Sequence, residues 1–213
     1  MKDYDWERLE PLGNIPVDAA LLKTIFSDYA SSSNKIEELC RRERLLRVKR
    51  GLYIVAPKIS RKTIDKMLVA NHLYGPSYVS FETALESHGM IPEAVYEIRS
   101  ATTNRAKQYD SALGRYSYFR VPEEYFGVGI QIAGTEEGRY LIASPEKALC
   151  DFLMLSSNLR IQSSRAMKDF LENFMRVDMG VVAGFDEDIV RACIETGRKK
   201  MTLARLLEVM RNG

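Results

Sequence analysis

Between Asn34 and Val55 the apolar pattern changes period, and few folds accommodate what that change implies. In Asn34–Glu43, Ile36, Leu39 and Cys40 recur at helical spacing, a narrow apolar stripe on a short helix. Asn34, Lys35, Glu38, Arg41 and Arg42 lie opposite. Leu45-Leu46-Arg47-Val48-Lys49 and Leu52-Tyr53-Ile54-Val55 then alternate, with Arg50-Gly51 between them. Two alternating runs joined by a glycine turn predict a β-hairpin with a basic tip, ended by Ala56-Pro57. Upstream, Val17, Ala20, Leu21, Thr24 and Ile25 predict a helix over 17–29, and Ala30-Ser31-Ser32-Ser33-Asn34 is a polar break rich in helix-capping residues. Helix, polar turn, short basic helix and basic hairpin, in that order, predict an N-terminal winged helix-turn-helix over residues 1–62.

Charge gives this segment a partner class. The 213-residue chain has a formal net charge of only +2, yet residues 35–62 hold ten basic and three acidic side chains. A local excess of that size suits a polyanion. A helix-turn-helix sets its second helix in the major groove, with that helix's N-terminal end at the base edges. Here that end is Ser32, Ser33, Asn34 and Lys35. Asn pairs bidentately with adenine, and Ser donates or accepts. Arg41, Arg42 and Arg44 fall within reach of the phosphate backbone. Arg47, Lys49 and Arg50 at the hairpin tip are expected to press on phosphates or enter the minor groove. Glu38 either pairs with Arg42 one turn on or accepts from a cytosine amino group. The competing reading is a charged helix and hairpin that simply face solvent.

Residues 63–213 predict a larger mixed α+β domain ending in helices. Helices are expected over 60–74 and 79–88. Strands follow over 96–102, 115–121, 128–133 and 139–143, then helices over 145–156, 164–176, 186–195 and 199–211. Thr102–Lys107 reads as a polar, basic loop. Tyr116, Tyr118 and Phe119 are expected to line a sheet. The C-terminal helix sets Arg205 and Arg211 opposite Leu203, Leu206 and Leu207, the pattern of a helix that packs one face and solvates the other.

Three sequence features recur at the sites of enzymes. Ser144-Pro145-Glu146-Lys147 matches S-x-x-K, but the partner motifs of that chemistry are missing, and Ser144 as N-cap with Pro145 at the first helical position accounts for it. Asp186-Glu187-Asp188 precedes an amphipathic helix, where acids complement the dipole. His72 and His88 stand apart from each other and from any cysteine cluster, so no metal is expected. Neither a catalytic residue nor a cofactor is assigned. Cys40, Cys150 and Cys193 form no evident disulfide framework and fit a reducing cytoplasm. The start, Met1–Glu7, lacks the apolar run of a signal peptide, and no membrane association is expected.

Three stretches carry a family resemblance. The run LCRRERLLRVKRGLYIV, with Arg50-Gly51-Leu52-Tyr53, resembles the end of the N-terminal domain in the AbiEi family of antitoxins. Tyr78–Leu85 with His88-Gly89, and Ala143–Asp151, resemble two further shared segments, so the likeness runs from about Leu39 to Asp151. The resemblance implies an autorepressor that binds inverted repeats in its own operator. It also implies a C-terminal domain that counteracts a nucleotidyltransferase-like toxin in a type IV system, where toxin and antitoxin need not touch. DNA binding follows from the residues as well; the antitoxin role rests on the resemblance alone, and no single residue is carried over for it. The alternatives are a stand-alone winged-helix regulator with a ligand-sensing or oligomerising second domain, and an enzyme domain targeted by a winged helix.

Overall fold

The computed structural model describes residues 5–157 and 159–212, a mixed α+β structure. In chain order the elements are α1 (Asp5–Leu9), β1 (Val17–Asp18), α2 (Ala19–Ile25), α3 (Ser32–Arg41), β2 (Leu45–Lys49), β3 (Leu52–Val55), α4 (Pro57–Ser60) and α5 (Lys66–Leu73). Then come β4 (Ser77–Val79), α6 (Phe81–Ser87), β5 (Glu97–Thr102), β6 (Lys107–Ser111), β7 (Gly114–Arg120), α7 (Glu123–Phe126), β8 (Ile130–Thr135) and β9 (Gly138–Ala143). The chain closes with α8 (Pro145–Leu155), α9 (Ser164–Asp169) continued by a π-helical turn over Phe170–Phe174, α10 (Met179–Ala183), α11 (Glu187–Thr196) and α12 (Lys200–Asn212).

The N-terminal part is built on local signals. Val17 pairs with Tyr53, so the helix expected from residue 17 starts later: Asp18 caps α2, its side chain accepting from the Leu21 amide at 2.7 Å. Ser31 caps α3 in the same way. Gly51, at φ 81°, makes the turn between β2 and β3 that a residue with a Cβ disfavours. β1, β3 and β2 form a three-stranded antiparallel sheet.

The second sheet has six strands in the order β6-β7-β5-β4-β9-β8. It is mixed: β5 runs parallel to β7 and β4 to β9, the other neighbours being antiparallel. Tyr118 points to the face covered by α5, its hydroxyl donating to the Ala70 carbonyl at 2.7 Å. Phe119, one residue on, points to the other face and meets the Phe81 ring of α6 at 5.2 Å. Tyr116 and Tyr118 are buried, as expected of sheet-lining residues. Helices α11 and α12 pack on α8 beyond that second face, and α9 and α10 pack on α12.

The four strands expected over 96–102, 115–121, 128–133 and 139–143 are present within two residues, as β5, β7, β8 and β9. Several elements differ. The helix expected over 60–74 is interrupted: Arg61 adopts φ 56° after α4, and Asp65 caps a fresh helix by accepting from the Met67 and Leu68 amides. Val79 belongs to a strand, not to the helix that follows. The basic loop after Thr102 turns into β6, an edge strand whose polar residues face solvent on one side. The helix expected over 164–176 changes to π geometry after Asp169.

Two apolar cores close on the β2–β3 hairpin. Leu45, Tyr53 and Val55 join Leu22, Phe26, Ile36 and Leu39 in one. Val48, Leu52 and Ile54 join the core of the six-stranded sheet. All four residues of β3 are buried, so the strand alternates between two cores instead of between core and water. Ile54→Ala removes a fully buried side chain and is expected to cost about 3 kcal/mol in urea denaturation of the intact chain; a cost near that of a surface substitution contradicts the shared hairpin. Residues 1–62 expressed alone expose Val48, Leu52 and Ile54 to water, and are expected to melt well below the intact chain.

Candidate nucleic-acid interface

α3 shows how the site is made. Ile36 and Leu39 anchor it to the smaller core, and Ser32, four residues before Ile36, is half-buried on the same inner side. The face turned outward is Ser33, Asn34, Glu37 and Arg41, which fall together by the helical period and are exposed. Opposite this face rises the hairpin tip. Between them lies an open groove of about 530 Å³, lined among others by Lys23, Ser33, Glu37, Arg47, Arg50 and Tyr53.

Three cations and one carboxylate therefore share the groove. Lys23 comes from α2, and neither it nor Arg50 makes an ion pair within the chain among the described residues. The Arg47 guanidinium lies 5.7 Å from the centre of the Tyr53 ring, a cation–π contact that orients it while leaving it exposed. Burial pushes the thiol of Cys40 up, with Arg47 partly offsetting it, so Cys40 is a half-buried thiol and not a thiolate at neutral pH.

Of the sequence-predicted residues, Ser33, Asn34, Arg41, Arg47 and Arg50 lie on this exposed surface. Lys35 does not. It is 7% exposed, and its ammonium is 2.7 Å from Asp5 and 3.3 Å from Glu38. The Tyr29 hydroxyl donates to the other Asp5 oxygen at 2.7 Å, and the Lys35 ammonium sits 4.8 Å from the Tyr29 ring centre. The reason is α1, which covers this side of α3 and brings a carboxylate thirty residues away in sequence. Arg42 is also held on this side, 3.0 Å from Glu38, so Glu38 pairs along the helix. Arg44, half-buried, lies near enough to Asp5 to help lower its carboxyl pKa.

Lys49 is the second correction. Plain alternation puts Arg47 and Lys49 on one face. The register slips instead: Arg47 stands opposite Tyr53, and Lys49 opposite Leu52. That extra residue is a β-bulge, and it turns Lys49 to the side of the larger core. There its ammonium donates to the Leu73 carbonyl at 2.5 Å and lies 5.7 Å from the Tyr109 ring centre. It fastens the hairpin to the six-stranded sheet.

Lys23 and Glu37 were missed in the sequence. Glu37 was legible, since Ser33, Glu37 and Arg41 are spaced four apart on one helical face. Lys23 was not, because only tertiary packing sets α2 beside the hairpin tip.

The enzyme-like features have structural roles. The Ser144 hydroxyl caps α8, accepting from the Lys147 amide at 3.3 Å, with Pro145 in the first turn. The Lys147 ammonium, fully buried, points elsewhere: it donates to the Tyr125 carbonyl at 2.9 Å and lies 3.4 Å from Asp151. Burial lowers its pKa and Asp151 opposes the shift. Asp186 caps α11 through the Asp188 amide, and Glu187 is bridged by Arg191 and Arg211, which draw its pKa down to about 2. Among the described residues no group of three or more His, Cys, Asp or Glu side chains could hold a metal, and no helix is long and apolar enough to cross a membrane. Compared with models of known families and with curated proteins, the chain matches none.

The Asp5–Lys35 pair generates a test. Burial works against ionising Asp5, but hydrogen bonds from Lys35 and Tyr29 outweigh it and hold the carboxyl below its ordinary range. A carboxyl lowered by folding adds stability that is complete above its unfolded value, about pH 4, and is lost as pH falls through the lowered one. Asp5→Ala leaves the buried Lys35 charge with Glu38 alone, 3.3 Å away, and is expected to cost about 3 kcal/mol at pH 7. The difference from the parent should shrink as pH drops below 4. Urea denaturation at pH 7 and pH 3 measures both; equal stabilities at pH 7 refute the buried pair.

Proposed function

We propose that the chain is a DNA-binding autorepressor and the antitoxin of a toxin–antitoxin pair, its N-terminal part acting as a winged helix-turn-helix. The observation that carries the DNA-binding half is the groove between α3 and the hairpin tip, with Lys23, Arg47 and Arg50 around the outward face of α3. The order of α2, the turn over residues 26–31, α3 and the β2–β3 hairpin supports that reading.

In this reading α3 enters the major groove of an operator with inverted repeats. Ser33 and Asn34 meet base edges at its N-terminal end. Glu37, one turn on, accepts from a cytosine amino group and rejects a phosphate, so it contributes choice and not affinity. Arg41 reaches the backbone beside the groove. Arg47 and Arg50 take phosphates, as does Lys23 from α2, and these contacts set affinity and its dependence on salt. Lys35 and Lys49, fixed inside the protein, take no part.

The antitoxin half is supported by the resemblance of three segments to the AbiEi family. The larger α+β part is then the region that counteracts a nucleotidyltransferase-like toxin, with or without direct contact. Co-expression with the toxin gene beside it in the operon is the corresponding test: growth should be restored by the intact chain.

For DNA binding the measurement is an electrophoretic shift on the sequence upstream of the protein's own gene. Arg47→Ala with Arg50→Ala should weaken binding about 10- to 100-fold and flatten the slope of log affinity against log salt by about two. Asn34→Ala should relax sequence choice, about 1–3 kcal/mol at one base pair, with little loss on random DNA. Unchanged binding by the double variant refutes the wing assignment.

A further inference from the structure

A second cluster of unengaged positive charge surrounds a cavity in the larger part of the chain. The cavity measures about 310 Å³ and lies where the end of β7, the end of α8 and the turn before α12 meet the start of α6. Its apolar walls include Phe81, Phe119 and Met154; Arg120, Arg198 and Lys199 stand around it. Among the described residues no carboxylate lines it.

The three cations are not equivalent. Lys199 is occupied, donating to the Leu153 carbonyl at 3.3 Å and to that of Ser156, so it closes the C-terminal end of α8. Arg120 and Arg198 are exposed, and their guanidinium groups have no partner among the described residues. The nearest acid on α6, Glu82, is already bound to Arg99. Arg99 in turn lies over Phe119, 4.6 Å from the ring centre, and fixes that wall. Two unneutralised guanidinium groups beside an apolar cavity form a receptor for an anion with a greasy body.

The backbone agrees. Phe81 and Lys199 have φ of 57° and 51°, a region that residues with a Cβ seldom occupy and an aromatic side chain less still. Both line this cavity. Such conformations persist where surrounding structure enforces them, and they gather at ligand clamps. The volume is at the lower end for small-molecule sites.

We infer that this cavity binds a small organic anion: a flat apolar ring held against Phe119 and Met154, which are partly exposed while Phe81 backs Phe119 from behind, with its carboxylate or phosphate gripped by Arg120 and Arg198. The site is independent of the DNA-binding reading. It supplies what the stand-alone regulator requires, a ligand-responsive second domain.

Isothermal titration of the intact chain with benzoate, adenosine 5′-monophosphate and inorganic phosphate tests it. At least one ring-bearing anion should bind with Kd at or below about 1 mM, and inorganic phosphate at least about tenfold more weakly, for want of the apolar contact. Whether benzoate or the nucleotide is preferred tells a carboxylate ligand from a phosphate one. Arg120→Ala with Arg198→Ala should reduce that affinity at least about tenfold, with an unchanged circular dichroism spectrum. Arg120→Lys with Arg198→Lys should fall between, keeping charge and losing the planar fork. Arg50→Ala, at the distant hairpin tip, should bind as the parent does. Absence of binding by both ring anions overturns the proposal. So does equal binding of phosphate, an unaffected double variant, or an equal loss in Arg50→Ala.

Discussion

Everything in this molecule hangs on a hairpin of eleven residues that belongs to two cores at once. β3 has no solvent face: Tyr53 and Val55 complete the small helical core, Leu52 and Ile54 complete the large one. In most antiparallel hairpins one side is left to water, and register is fixed by one buried face. Here both faces are buried, so a slip by one residue misplaces side chains in two cores. The bulge at Val48–Lys49 is what makes the double packing feasible. It lets Arg47 stay with Tyr53 on the groove side while Val48 and Lys49 both turn toward the sheet.

A second fixed point is the charged knot of Asp5, Tyr29, Lys35 and Glu38. Its members come from α1, the turn before α3, and α3 itself. Burying charges gains little over apolar packing, but breaking such a pair is costly. The knot therefore acts mainly as a constraint on direction: α3 can turn only Ser33, Asn34, Glu37 and Arg41 outward. The helix most exposed to a prospective ligand is thus oriented by polar groups behind it, and its apolar stripe alone, Ile36 and Leu39, is too narrow to do so.

The sequence made the hairpin legible because two period-two runs flank Arg-Gly, and it made the later strands legible because glycines punctuate them. It hid what depends on distant partners. Lys35 reads as a surface cation on any helical wheel, since nothing local announces Asp5. Lys49 reads as a partner of Arg47, since a bulge leaves no mark in alternation. β6 is polar enough to pass for a loop, as an edge strand with one solvated face should. β4 is only three residues long and runs straight into α6, so its period cannot be told from that of a buried helix. The groove was half visible: its hairpin arginines and Ser33 follow from local pattern, whereas Lys23 enters by packing. The cavity beside Phe81 was not visible at all. Its walls come from α6, β7, α8 and the turn before α12, brought together only by the fold.

The anchoring of the hairpin has a mechanical consequence. A β-hairpin in a small isolated unit moves with its own two strands. This one is bonded through Lys49 to the end of α5 and rests on Tyr109 of β6, whose partner strand β7 ends at Arg120 and Phe119. The hairpin tip and the cavity wall are thus successive parts of one packed layer, in which interiors transmit strain instead of absorbing it. Arg120 ends the strand that, two residues earlier, presents Tyr118 against Tyr109 at 6.0 Å. Coupling between the two places requires that the layer have two arrangements with different affinities for each ligand. On the DNA-binding reading proposed above, the contacts that hold the hairpin, Lys49 on the Leu73 carbonyl and over Tyr109, are those that a change in the six-stranded sheet has to disturb.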